Sequence, residues 1–272
     1  MTITAQITQL WSEKFGNTQE EYEDAFAPQI SGEVSQDTIS IAVADGATES
    51  SFAGEWARML TNAFVSKPFL TTDKLKTLTG ELSKEWNETI ANKELPWYAE
   101  EKVLSGAFST LIGIHLLTYR NYGSIGSWSA IAIGDSCLFQ IRNDKLVYKF
   151  PIDNSSQFND SPLLLSSNLS LNSQLWEEVK IQEKAFWLLE DVFILATDAI
   201  SKWFLSKYEN GEKPWDMLLK FTMLEQPNES FKEWINELRK SSELKNDDVT
   251  VVIIKMKSIS KSPIQSTEKG KS

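Results

Sequence analysis

The chain has 272 residues, enough for one large domain or two small ones and for a sizeable core. Its 27 basic and 38 acidic residues leave a net charge of −11. That balance excludes general nucleic-acid binding, because phosphate backbones attract clustered Lys and Arg and no such cluster precedes the tail. With Cys137 the only cysteine and His115 the only histidine, an internal disulfide and a cysteine-based zinc site are excluded as well.

The N-terminal MTITAQITQLWSEKFG lacks a basic start followed by an apolar stretch, so it does not read as a signal peptide. No run reaches the roughly 18 apolar residues of a membrane span, and a soluble, cytoplasmic protein is expected. Strand-like runs follow at 7–11, 39–44, 108–117, 127–134, 137–142, 145–150, 192–197 and 249–256, rich in β-branched and aromatic residues and bounded by Gly, Asp, Asn or Ser. Asn143-Asp144 reads as a hairpin turn between two of them. ISIAVA (39–44) and VFILAT (192–197) alternate weakly, as strands buried on both faces do.

Helical periodicity is predicted over 51–66, where Phe52, Trp56, Met59, Leu60, Ala63 and Phe64 share a face and Ser50 or Ser51 serves as cap. A second helix is expected over 73–92, on Leu75, Leu78, Leu82 and Trp86, and others over 198–207, 215–224 and 230–240. Helices segregated from hairpin-connected strands imply an α+β fold with a largely antiparallel sheet or two stacked sheets. The ten tryptophans read as core packing. His115, inside the apolar LIGIHLL, also reads as a core residue rather than a catalytic one. Residues 151–175 form a long Ser- and Asn-rich excursion, and 258–272, Ser- and Lys-rich without apolar period, are expected to be a disordered tail.

Any chemistry here must therefore lean on carboxylates, hydroxyls, Lys or Arg. ISIAVA runs into Asp45-Gly46, VFILAT runs into Asp198, and Asp247-Asp248 opens VTVVII. If those strands are neighbours of alternating direction, Asp45, Asp198 and Asp247 converge on one rim. Clustered carboxylates repel, and a divalent cation relieves that penalty, with oxygen-only sites favouring Mg or Mn. Gly46 would allow a sharp turn and offer an unhindered carbonyl. Taken singly, each motif is also an ordinary strand terminator, and Gly134-Asp135-Ser136 reads simply as a turn.

The ordered set is more specific. Glu23-Asp24-Ala25, AVADG (42–46), FST (108–110), IGDSCLFQI (133–141), LATDA (195–199) and NDDVTVVII (246–254) together resemble the metal-dependent protein phosphatases, the type 2C Ser/Thr phosphatases, over about residues 20–257. The look is nearest to divergent bacterial members. The resemblance implies a type 2C-like domain over 1–257 with a four-layer αββα sandwich, two antiparallel sheets flanked by helices. It implies a centre of two ions, Mn2+ or Mg2+, whose shared water attacks the phosphorus of phosphoserine or phosphothreonine. In that pattern Asp45 bridges both metals, Gly46 lends its carbonyl, Asp198 and Asp247 are metal acids, Glu23 is the early acid, and Asp24 holds coordinated water. The partners implied are a phosphoprotein substrate, a Ser/Thr kinase or its target in a signalling pair, with no nucleic acid and no membrane.

The chain departs from the pattern at six places, one of them the DN motif, which is Asp247-Asp248 here. The phosphate-binding Arg falls on Gln19, and the residue after DG, often His, is Ala47. The two glycines that often follow DG are lost in ATESS. TDG has become TDA at 197–199, and a third-metal acid falls on Ser105. Arg120, Lys102 or Arg58 are candidates for gripping phosphate. These losses motivate an alternative, a catalytically weak or inactive pseudophosphatase acting as a binding or regulatory module. A carbohydrate- or peptide-binding β-sandwich would rest on the tryptophans alone.

Overall fold

A computed structural model describes residues 2–48, 50, 52–92, 105–119, 122–159 and 161–257. The tail expected at 258–272 lies outside the described residues, as do Arg120 and Lys102. One six-stranded antiparallel sheet carries β1 (Ile3–Ser12), β3 (Gly32–Gln36), β8 (Cys137–Arg142), β9 (Lys145–Phe150), β12 (Val192–Ala196) and β13 (Val249–Lys257), in the order β3-β1-β13-β12-β8-β9. A five-stranded antiparallel sheet carries β2 (Ala25–Ala27), β4 (Thr38–Ala44), β6 (Leu111–Tyr119), β7 (Tyr122–Ile133) and β11 (Lys180–Leu188), in the order β11-β7-β6-β4-β2. The run expected at 108–117 is divided at Thr110, with β5 (Phe108–Ser109) pairing instead with β10 (Leu165–Ser166).

The two sheets face each other across one core. Ile7, Val252, Ile254, Phe193 and Leu138 of the first pack against Ile41, Val43, Ile114 and Trp128 of the second. The outer face of the five-stranded sheet is covered by α1 (Ala53–Ser66) and α2 (Thr72–Ala91), through Trp56, Leu60, Phe64, Leu75 and Trp86. The outer face of the six-stranded sheet is covered by α4 (Asp198–Glu209), α5 (Pro214–Phe221) and α6 (Pro227–Lys240), through Phe204, Trp215, Leu218 and Ile235. A single turn, α3 (Leu175–Glu178), precedes β11. Strands buried on both faces explain why β4 and β12 read as continuous apolar runs. The result is the αββα sandwich, a mixed α+β fold.

Local chemistry accounts for several joints. Asn143 and Asp144 both take left-handed φ, 49° and 59°, as a two-residue hairpin requires. Pro214 and Pro227 open α5 and α6, where a missing N–H costs nothing. Thr71 caps α2 by accepting from the Lys74 amide at 3.3 Å. The cap expected for α1 differs. Phe52 occupies the N-cap position, and the Ser50 hydroxyl donates to the Ala47 carbonyl and accepts from the Phe108 amide instead, tying the loop after β4 to β5.

Where β7 meets its neighbours, the indole of Trp187 on β11 crosses Gly126 to donate to the Leu117 carbonyl at 2.9 Å. A Cβ at Gly126 would lie 1.9 Å from that carbonyl oxygen and 2.5 Å from the indole. Gly126→Ala should therefore destabilise the fold by roughly 2–4 kcal/mol, read as a lower urea midpoint at unchanged slope. Among the described residues no helix is long and apolar enough to cross a membrane. His115 sits half-buried in β6, its Nδ1 2.8 Å from the Ser40 hydroxyl, and burial lowers its pKa.

Candidate active site

Ladder register decides where the strand ends fall. Ala44 pairs with Ala25, Val43 with Ile112, Leu111 with Ile133, Cys137 with Ala196, and Ala196 with Val251. The C-terminal ends of β4, β7 and β12 thus share one rim with the N-terminal starts of β2, β8 and β13. An acid stands within two residues of each end: Asp24 before β2, Asp45 after β4, Asp135 in the β7–β8 turn, Asp198 after β12, and Asp247-Asp248 before β13. Asp198 and Asp247 do come from neighbouring strands. Asp45 does not. It arrives from the facing sheet, so the acids converge across the sandwich rather than along one sheet edge.

A cleft of about 480 Å³ opens there, lined by Asp45, Gly46, Asp135, Asp198 and Asp247 with Lys14 and Lys245. Asn159, Ser161, Pro162 and Leu164 form part of its wall, which locates the 151–175 excursion beside the site. That excursion is anchored by a buried polar knot. The Asn172 side chain bonds both backbone groups of Ser166, and the Ser83 hydroxyl of α2 donates to the Ser167 carbonyl.

Backbone clamps fix the acids. The Asp45 amide donates to the Thr110 hydroxyl at 2.9 Å, while the Asp45 carbonyl accepts from the Thr110 amide and the Ser109 hydroxyl. The FST turn therefore positions Asp45. Thr197 and Thr250 bond mutually, amide to carbonyl and amide to hydroxyl, locking the strand end that carries Asp198 to β13. Arg239 of α6 donates to the Asp247 carbonyl at 2.6 Å and to the Glu13 carbonyl at 2.9 Å, holding the loop before β13. Gly46 is required for close approach. A Cβ there would lie 2.7 Å from the Glu23 carbonyl oxygen and 2.8 Å from the backbone of Ala53, the first residue of α1.

The electrostatics are those of crowded, desolvated carboxylates. Burial, then the charges of Asp24, Asp198, Asp247 and Asp135, hold the Asp45 carboxyl well above its usual range. Burial and Asp248 do the same to Asp24. Burial and the field of Asp198 push Asp135 up to about 7. Asp198 is also raised by burial, against the opposing pull of Lys245. The buried Oδ1 of Asp24 has no hydrogen-bond partner among the described residues, while its Oδ2 accepts from the Thr250 hydroxyl at 2.7 Å. An all-oxygen set with an orphaned buried carboxylate oxygen and mutually raised acids fits a hard divalent cation. Among the described residues, however, no three acid, imidazole or thiol side chains are closed to the spacing of a metal cage.

The remaining expected residues fall elsewhere. Glu23 lines an adjoining hollow with Glu20, Thr48 and Arg58, and its backbone amide donates to Asp248 Oδ2 at 2.8 Å. Asp248 Oδ1 accepts from the Lys14 amide at 2.7 Å, so this acid staples the 14–23 loop to the start of β13. Gln19 is exposed in a short 3-10 turn, Ser105 is exposed, and Arg58 pairs with Glu55 at 2.8 Å. Sequence reasoning missed Asp135, Lys14 and Lys245. The signal for Asp135 was present, since it too is an acid at a strand end.

The arrangement was compared with known proteins. No protein-family model matches the sequence, and no curated protein matches it. Among solved structures, the Mycobacterium tuberculosis serine/threonine phosphatase PstP/Ppp superposes with a TM-score of 0.55 at 15% identity, covering 93% of this chain and 99% of that one. The catalytic domain of PstP in complex with two manganese ions gives 0.53 at 16% identity, over 94% and 100% of the two chains. The S. agalactiae serine/threonine phosphatase gives 0.51 at 11%, over 92% and 99%. The chain thus has the fold of the type 2C Ser/Thr phosphatases.

Proposed function

We propose that the chain is a cytoplasmic metal-dependent Ser/Thr phosphoprotein phosphatase, acting on a Ser/Thr kinase or its target. The observation that carries this reading is the convergence of Asp24, Asp45, Asp135, Asp198 and Asp247 on one rim of that fold. Asp45, at the centre, would bridge two ions of Mn2+ or Mg2+, with the Gly46 carbonyl, Asp198 and Asp247 as further ligands and Glu23 and Asp24 holding the early side of the site. When bound, such ions activate a water for attack on phosphorus and neutralise charge on the phosphoryl group. Lys14 lines the same cleft and would meet phosphate oxygens, a task that the exposed Gln19 does not serve. The wall formed by Asn159, Ser161, Pro162 and Leu164 would screen the reacting group from bulk water on one side. Ala47, after the Asp45-Gly46 turn, offers no proton to the leaving alkoxide.

A second reading, a catalytically weak or inactive relative that binds without turnover, is favoured by Gln19, Ala47 and the pairing of Lys245 with two of the acids. Turnover separates the two. Purified protein with Mn2+ should hydrolyse p-nitrophenyl phosphate and phosphothreonine peptides and stop when chelator is added. Tight Mn2+ binding by calorimetry without any turnover would support the second reading instead.

A further inference from the structure

Two of the cleft acids already hold a cation. Lys245 Nζ lies 2.7 Å from Asp247 Oδ2 and 3.6 Å from Asp198 Oδ2. The other oxygen of each carboxylate is engaged. Asp198 Oδ1 accepts from the Ala199 amide at 2.6 Å, and Asp247 Oδ1 from the Asp248 amide at 3.2 Å. The free oxygen of each acid is therefore the one that faces the ammonium. The other half of the cluster has no ammonium at ion-pair distance among the described residues. Asp24 Oδ1 has no partner, and the Asp45 carboxylate accepts no hydrogen bond among the described residues.

We propose that Lys245 is a tethered counter-ion that occupies the cation position between Asp198 and Asp247 and competes with a divalent ion for it. The inference rests on the metal-centre reading above and adds an asymmetry to it. An ion at Asp45 and Asp24 meets uncompensated carboxylates and binds first. An ion at Asp198 and Asp247 must displace an ammonium hydrogen-bonded to Asp247 and ion-paired with Asp198, so it binds more weakly. Lys245 is suited to this role because its side chain is 63% exposed and so can swing into solvent without leaving a cavity. Lys14 lines the same cleft without an ion pair to these acids, which makes it the control for a general field effect.

The test is Mn2+ titration by calorimetry of the full chain and of Lys245→Gln, Lys245→Arg and Lys14→Gln. The wild type should show one strong and one weak ion. Lys245→Gln should tighten the weak ion about tenfold or more, because two carboxylates regain their free oxygens. Lys245→Arg should keep it weak, and Lys14→Gln should move it no more than about threefold. The melting temperature of metal-free Lys245→Gln should fall, since Asp198 and Asp247 lose their counter-ion. An unchanged or weakened second ion in Lys245→Gln, or an equal gain in Lys14→Gln, would overturn the lysine's role and leave the two-metal reading intact. No Mn2+ binding by any of the four proteins would overturn both.

Discussion

Asp45→Asn should lower Mn2+-dependent phosphatase turnover by about a thousandfold or more, an activation cost of at least ~4 kcal/mol. The asparagine keeps the shape and the backbone clamps from Thr110 and Ser109, which bind only main-chain atoms of residue 45. What it removes is the negative charge proposed to bridge two cations. The same substitution should raise the melting temperature of the metal-free protein. Burial and four neighbouring acids already disfavour the charged Asp45 carboxylate, so its removal relieves repulsion worth about 1–2 kcal/mol, or roughly 2–4 °C. Loss of activity with a gain in stability is the signature of a functional charge held at a structural cost. Loss of both would mean that Asp45 is simply a packing residue. Turnover and a melting scan on one sample distinguish the two.

The second large effect is on stability against pH in chelator. Asp135 has an ordinary value of 3.8 and stands at about 7 in the fold. Below about pH 4 the folded and unfolded chains both hold this proton. Between about 4 and about 7 only the folded chain does, so stability declines as pH rises through that window. Asp24, Asp45 and Asp198 are raised as well and add in the same direction. Glu13 is lowered in the fold, burial raising it but Lys232 and neighbouring charges outweighing that, so it opposes the trend only as pH falls below its usual range. Metal-free protein should thus melt higher near pH 5 than near pH 8. Mn2+ should reverse that order, because it binds the deprotonated acids, and a hundredfold excess over Kd adds about 2.7 kcal/mol. A pH profile that Mn2+ leaves untouched would show that the acids do not share a cation.

Much of this fold was legible in the sequence because its central strands are apolar on both faces. ISIAVA and VFILAT need no partner to be read, and the helices over α1 and α2 announced their apolar faces through Trp56, Phe64, Leu75 and Trp86. The edge was harder. β11, KIQEKAFWL, has three charged residues, is mostly exposed and carries a register shift between Gln182 and Ala185, so alternation never becomes clear. The short strands β2 and β10 exist only because a longer neighbour or a distant loop supplies their hydrogen bonds.

The candidate site divided in the same way. Acids at strand ends were visible as residues, but which of them meet depends on ladder register and on the stacking of two sheets. That is why Asp135 read as a turn, and why Glu23 and Asp24 could not be ranked. Glu23 lines the neighbouring hollow, while Asp24 is buried against Asp248 and Asp198. Lys245 could not be found from sequence at all. A lysine two residues before an acid is ordinary surface chemistry until the chain turns it back onto Asp198.

Crystals grown with Mn2+ and measured at the manganese absorption edge offer the most direct view of the centre. Two anomalous peaks should lie between Asp45 and its neighbours, one bounded by Asp24 and Gly46 and the other by Asp198 and Asp247, with the Lys245 side chain turned away. No anomalous peak within the cleft at saturating Mn2+, with Lys245 still paired to Asp198 and Asp247, would contradict a two-metal phosphatase.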